Sequence, residues 1–186
     1  MSTTLLVAYG AIGLSVYFFA RAIFGFIREM RARTELPVAT ADDFAFWNKP
    51  GSKDAAGEVD FVVTNLHPMW NGIQRMDALD WIRRTLADVQ AAHPGQALVI
   101  GETGWATQVS AEGEQARLIK GTPGEEEQRE FFKSLRAWVA RERITTFFFE
   151  AFDENWKGGG HPDEVEKHWG LYRADRTPKK ALVNER

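Results

Sequence analysis

This sequence predicts an α/β fold built on parallel strands. Short β-branched or aromatic runs alternate with longer amphipathic stretches along the chain, the pattern of parallel strands joined by right-handed crossover helices. One run, Ala97-Leu98-Val99-Ile100, is apolar at every position and reads as a strand buried on both faces, as parallel strands are. At 186 residues the chain is long enough for one domain with a real core.

The elements follow in order. Leu5 to Ile27 is almost wholly apolar, interrupted by Arg21, and a helix of about 23 residues would cross a bilayer core of roughly 30 Å. A signal-anchor is therefore one reading, with membrane contact through this segment. No basic residue precedes the run and no convincing small-residue cleavage site follows it, which argues against a cleaved signal peptide. Arg28, Arg31 and Arg33 would favour a cytoplasmic C-terminal flank. The other reading starts later. Phe18, Phe19, Ala22, Ile23, Phe26, Ile27 and Met30 recur at helical spacing and leave Arg21, Gly25 and Arg28 opposite, an amphipathic helix over Tyr17 to Arg33.

Val38-Ala39-Thr40, Val59 to Asn65, Ala97 to Ile100 and Ile144 to Phe149 read as strands, bounded by polar or turn residues. Between the second and third, Met76, Leu79, Ile82, Leu86 and Val89 form one helix face, stopped by His93-Pro94-Gly95. Between the third and fourth, Thr122-Pro123-Gly124-Glu125 reads as a capping box with proline at the first helical position. Phe131, Phe132, Leu135, Trp138 and Val139 make that helix's buried stripe. Thr107 to Lys120 is too long for a simple connector and suits a lid or cleft wall. With no internal repeat or linker, the chain divides into an apolar segment, 1–33, and one folded domain, 34–186.

A net charge of −3 with both signs interspersed gives no electrostatic case for nucleic acid. Zero cysteines exclude a disulfide framework, a thiol nucleophile and a cysteine metal site. Seven tryptophans and thirteen phenylalanines serve equally as core or as sugar platforms.

Gly101-Glu102-Thr103-Gly104-Trp105 sets a carboxylate directly after the apolar strand, at the end of the sheet where parallel α/β folds place chemistry. The glycines allow close approach of backbone to a ligand, and Trp105 offers a flat apolar face for a sugar ring. A strand-end glutamate in a structural ion pair is the plain alternative.

Four stretches together carry a resemblance: Asn65-Leu66-His67-Pro68-Met69-Trp70, the Gly101 to Trp105 run, Phe149-Glu150-Ala151-Phe152-Asp153-Glu154-Asn155-Trp156-Lys157, and Val165-Glu166-Lys167-His168-Trp169-Gly170-Leu171-Tyr172. In order and spacing they resemble glycoside hydrolase family 17, the β-1,3-glucanase-like enzymes, from about Arg28 to Lys179. The resemblance covers only the second half of that family's barrel. It implies a partial (β/α)8 TIM barrel, roughly the last four strands and their helices, since a complete one typically needs about 250 residues. Tyr17 to Arg33 then corresponds to a barrel helix.

By resemblance Glu102 is the nucleophile of a retaining glycosidase acting on β-1,3-glucan, in which two carboxyl groups flank the bond. The family's acid/base is a glutamate in an Asn-Glu pair upstream of that helix. Here the region reads Leu5-Leu6-Val7-Ala8-Tyr9-Gly10-Ala11-Ile12-Gly13, without Glu or Asn, so the acid/base is expected to be absent. Loss of general acid catalysis costs about 10²- to 10⁴-fold, and four strands leave two open edges for self-association. Weak or no activity is the expectation.

Glu154, Lys157 and Glu166 match the family's polar residues around the scissile sugar, with Lys157 helping to keep Glu102 ionised. The alternative is a set of solvated loop charges. His67 and Trp70 follow a strand and would offer a hydrogen bond and a stacking face, or else a strand-end histidine and a core tryptophan. The expected substrate-binding set is thus His67, Trp70, Trp105, Glu154, Lys157 and Glu166. His161 and His168, with Asp163, Glu164 and Glu166 between them, match no strong metal spacing, and neither metal nor cofactor is expected. Three functions stand open: glucan hydrolysis, glucan transglycosylation, and non-catalytic glucan binding. The expected location is the cell envelope, with the N-terminal helix as anchor.

Overall fold

The computed structural model describes residues 23–183. A helix over residues 23–33 (α1) leads into β1 (Ala39–Asp43), two short helices α2 (Phe44–Trp47) and α3 (Ser52–Glu58), β2 (Phe61–Asn65), α4 (Arg75–Ala92), β3 (Leu98–Thr103), α5 (Gly113–Leu118), α6 (Glu125–Glu142), β4 (Thr146–Phe148) and a 3-10 turn at Val165–Lys167. The four strands form one parallel sheet in the order β1-β2-β3-β4.

The core lies on the helix side of the sheet. Ile100 of β3 is buried there against Ala78, Ile82 and Leu86 of α4 and Phe131, Leu135 and Trp138 of α6; Val62 of β2 is buried in a second cluster with Trp47, Ala55, Ala56 and Val89, and Thr64 is buried as well. Val63 and Val99, paired in register, share the opposite face and are only partly covered. The expectation that Ala97 to Ile100 is buried on both faces is therefore corrected: among the described residues, no layer closes the concave side.

Several boundaries also differ from the sequence reading. Met76 is 76% exposed, because α4 starts at Arg75 and its first turn overhangs the core; Ala78 and Thr85 take buried positions instead. The capping box does not form. Helix α6 starts at Glu125 with Gly124 as its N-cap and no side-chain cap bond, while the Thr122 carbonyl accepts from Trp105 Nε1 at 2.9 Å. Glu125, Glu126 and Glu127 instead supply negative charge to the first turn, which favours the helix N-terminus. The stretch Thr107 to Lys120 contains α5, and the β1–β2 connection holds two short helices that periodicity did not reveal.

In α1 the expected apolar stripe is not what packs. Ile27 is buried, whereas Ile23, Phe26 and Met30 are exposed; Arg28 and Arg31, on the packed side, pair with Glu58 and Asp60. Phe24 joins the cluster of Trp47, Ala55, Ala56, Val62 and Val89. Within the described residues no helix is long and apolar enough to cross a membrane. Leu5 to Ala22 of the anchor reading, the first part of the Tyr17 to Arg33 helix, and the region without Glu or Asn, Leu5 to Gly13, lie outside the described residues.

Candidate active site

Glu102 is the next-to-last residue of β3. The β2–β3 register shifts between Thr64 and Asn65, and Leu66 N donates to the Glu102 carbonyl at 2.8 Å, so the residues after β2 fold directly beside this carboxylate. Gly101 makes the approach possible: a Cβ there would stand 2.4 Å from Val63 Cγ1 and 2.8 Å from Asn65 Oδ1.

His67 Nε2 lies 3.3 Å from Glu102 Oε2. Its ring meets Phe149 edge-on at 5.6 Å and Trp169 at 5.4 Å between centroids, which fixes its orientation. Glu102 keeps 44% of its side chain exposed, an open face for a ligand. The hydrogen bond from His67 holds its carboxyl below the usual carboxylate range; burial opposes this, and electrostatic attraction, including that of the Lys157 ammonium, adds to it. Glu102 is therefore ionised at neutral pH.

Lys157 joins this carboxylate to a second acidic group. Its ammonium pairs with both Glu150 and Glu154 and sits 4.8 Å from the Phe149 ring centroid, a cation–π contact. Burial opposes the charge on Lys157, but the two carboxylates hold it above its ordinary value. Glu150 is 13% exposed. Burial pushes its carboxyl up to about 7, Lys157 pulls the other way, and Glu154 adds to the rise. Sequence reasoning missed Glu150 as a site residue; its signal was a charge directly following the apolar Phe147-Phe148-Phe149.

Trp70 Nε1 donates to Glu166 Oε1 at 3.3 Å, bringing two more expected residues to the same end of the sheet. Burial raises the Glu166 carboxyl above its ordinary value, helped by Glu164 and opposed by the Trp70 bond. His67, Trp70, Glu154, Lys157 and Glu166 thus converge around Glu102 through direct contacts or shared charge. Trp105 does not join them. It is 0% exposed, packs on Phe131 at 5.6 Å, and is covered by Gly121. The expectation of a stacking face there is corrected, because residues 119–122 fold over the indole. His161 and His168 make local backbone bonds, and among the described residues no group of His, Cys, Asp or Glu is placed to hold a metal ion.

Buried polar groups tie the site's loops together. Gln128 Nε2, on α6, donates to the carbonyls of Trp105, Trp169 and Gly170 at 2.9, 3.2 and 3.0 Å. Lys179, 2% exposed, reaches Asp153 Oδ1 at 2.7 Å and Thr107 Oγ1 at 2.8 Å, linking the loop after β3 to the arm carrying Glu154 and Lys157. On α5, Gln115 joins Glu164 and Val165, which position Glu166.

Residues 19–170 match the model of the BtgE/BtgC glycoside hydrolase domain. The chain belongs to this family. Among curated relatives, a glucan 1,3-beta-glucosidase of Arthroderma benhamiae is 32% identical over 166 residues, covering 78% of this chain and 49% of that protein. One of Schizosaccharomyces pombe is 30% identical over 151 residues, covering 78% and 44%. Among solved structures, a glycoside hydrolase family 17 beta-1,3-glucanosyltransferase from Rhizomucor miehei aligns with a TM-score of 0.71 at 26% identity, over 86% of this chain and 55% of that one. An active-site mutant of the Rhizomucor enzyme in complex with laminaritriose gives a TM-score of 0.73 at 25% identity, over 88% and 57%. The chain is thus similar to family 17 proteins and spans about half the length of these relatives.

Proposed function

We propose that this chain is the C-terminal half of a retaining (β/α)8-barrel glycoside hydrolase whose site takes β-1,3-glucan. The observation that carries this reading is the ionised Glu102 at the C-terminal end of a parallel sheet, hydrogen-bonded by His67 at 3.3 Å and electrostatically supported by Lys157. Its relatives bear the names of β-1,3-glucan enzymes, and the laminaritriose complex of one of them supports the substrate class.

In the proposed reaction the Glu102 carboxylate attacks the anomeric carbon, the C1–O bond to the leaving group breaks, and the departing oxygen takes a proton from solvent water. A covalent glycosyl ester remains. Water, or a sugar hydroxyl in the transglycosylation variant, then attacks C1 and gives its proton to solvent, while the ester bond from C1 to Glu102 breaks and restores the carboxylate. Glu154, Lys157, Glu166 and Trp70 bind sugar hydroxyls around the bond. The Leu5 to Gly13 segment has no Glu or Asn for the protonation step, which supports low turnover and, as the second reading, glucan binding without cleavage.

Sugar release from a soluble β-1,3-glucan by the purified chain, beside Glu102→Gln, tests this, with binding to the same glucan measured on both. Turnover lost in the variant establishes the nucleophile. Binding without turnover selects the second reading, and absence of both overturns the substrate class.

A further inference from the structure

Six of the seven tryptophans are buried or half-buried, but Trp156 is 77% exposed. It is not a solitary surface ring, which would need no explanation. With Phe152, itself 37% exposed, it lines a shallow cavity of about 360 Å³ that also includes Asp153, Asn155 and Arg176, at the small end of ligand-sized cavities, about 300–1,000 Å³.

The wall of this cavity is held in place. The Arg176 guanidinium sits 4.9 Å from the Phe152 centroid, and Phe152 packs on Tyr172 at 5.4 Å with a 35° tilt. Arg176 belongs to a tight turn in which its N donates to Arg173 O, and Arg173 N to Thr177 O, both at 2.9 Å. The Thr177 hydroxyl donates to Asp175 Oδ1 at 2.7 Å. The backbone of the opposite side is fixed at Asp153, whose carboxylate is tied to buried Lys179.

The cavity shares Glu154 and Trp156 with the surroundings of Lys157, the cation that supports Glu102. Trp156 precedes Lys157, whose ammonium lies 5.8 Å from the Trp156 centroid and bridges Glu150 and Glu154. Flat aromatic surface rimmed by amide and guanidinium donors suits a pyranose, which has apolar faces and hydroxyls around its edge. A carboxylate-bearing sugar has less claim, since Asp153 and Glu154 share the wall.

We propose that Trp156, with Phe152, Asn155 and Arg176, forms an outlying sugar subsite that takes a pyranose of a neutral β-glucan chain one or more units from the bond at Glu102. This rests on the reading of Glu102 as the nucleophile. A long chain would span both places, whereas a short one would fill only the Glu102 site.

The test is titration of β-1,3-linked glucose disaccharide and hexasaccharide into Glu102→Gln, which removes turnover, and into the same protein carrying Trp156→Ala, Trp156→Phe or, as a control at another exposed apolar residue, Leu36→Ala. Trp156→Ala should weaken hexasaccharide binding roughly tenfold, in line with the size of aromatic stacking, and disaccharide binding less than threefold. Trp156→Phe should retain most of the hexasaccharide affinity, and Leu36→Ala should leave it unchanged. Equal weakening of both oligomers, or no weakening of the hexasaccharide, overturns the subsite while leaving the glucan reading intact. Binding of neither oligomer to the Glu102→Gln protein or to the parent overturns both.

Discussion

Glu150→Gln should remove a pH-dependent loss of stability. The Glu150 side chain is 13% exposed, its Oε1 is buried without a hydrogen-bond partner, and its pKa is raised from 4.5 to about 7. The protonated form is the one the fold prefers. Stability from this group is therefore fully present below 4.5 and is lost as pH rises through 7. At about 1.4 kcal/mol per tenfold change in proton affinity, the rise amounts to about 3 kcal/mol. Glutamine mimics the protonated side chain and carries no such loss. Urea unfolding of parent and variant at pH 5, 6, 7 and 8, followed by tryptophan fluorescence, should show the variant gaining on the parent by on the order of 2–3 kcal/mol over that range. Titrating groups other than Glu154 and Lys157, which contact Glu150, cancel in the difference. Parallel stability curves for the two proteins would refute the argument, and a variant that loses stability at pH 8 would reverse its sign.

Lys179→Met should cost about 3–5 kcal/mol, because it leaves the Asp153 carboxylate buried without its cation; chemical denaturation measures it, and a loss under about 1 kcal/mol would mean the pair is solvated. Gly104→Ala should be strongly destabilising, since a Cβ there would fall 2.0 Å from the Phe149 carbonyl oxygen, a backbone atom that overpacking of about 1–3 kcal/mol or more must displace. Gly57→Ala, in α3 with nothing within 4 Å of its Cβ, should instead gain about 0.5–1 kcal/mol, and thermal melts of the two variants should move in opposite directions.

The strands at Val59 to Asn65, Ala97 to Ile100 and Ile144 to Phe149 were legible because β-branched and aromatic residues crowd them and polar turns bound them. β1 was harder at its C-terminal end, where Asp42 and Asp43 carry no apolar signal and belong to the sheet only through pairing with Thr64 and Asn65. Periodicity found α4 but assigned Met76 to its buried face, because a residue's size does not show that the first turn overhangs the core. Glu102 and His67 were legible as polar side chains at or just after β-type runs, and Lys157 through the resemblance of the stretch that carries it. Trp105 was misread because its burial depends on a loop that reaches Thr122, 17 residues later in sequence, and folds over it. Glu150 was missed because its proton affinity arises from desolvation beside Lys157, a property of the folded cleft.

The sheet order follows the order of the chain, each strand lying beside the one before it. A polypeptide emerging N-terminus first can therefore add each strand to an edge already made, with no earlier pairing to reopen. The same order has a temporal consequence for Glu102. When β3 docks, Glu102 has His67 behind it but stands on the sheet's free margin; Phe149 and Lys157 arrive only with β4 and the arm that follows. Three of the four described strands can thus be paired before Glu102 acquires its full electrostatic surroundings.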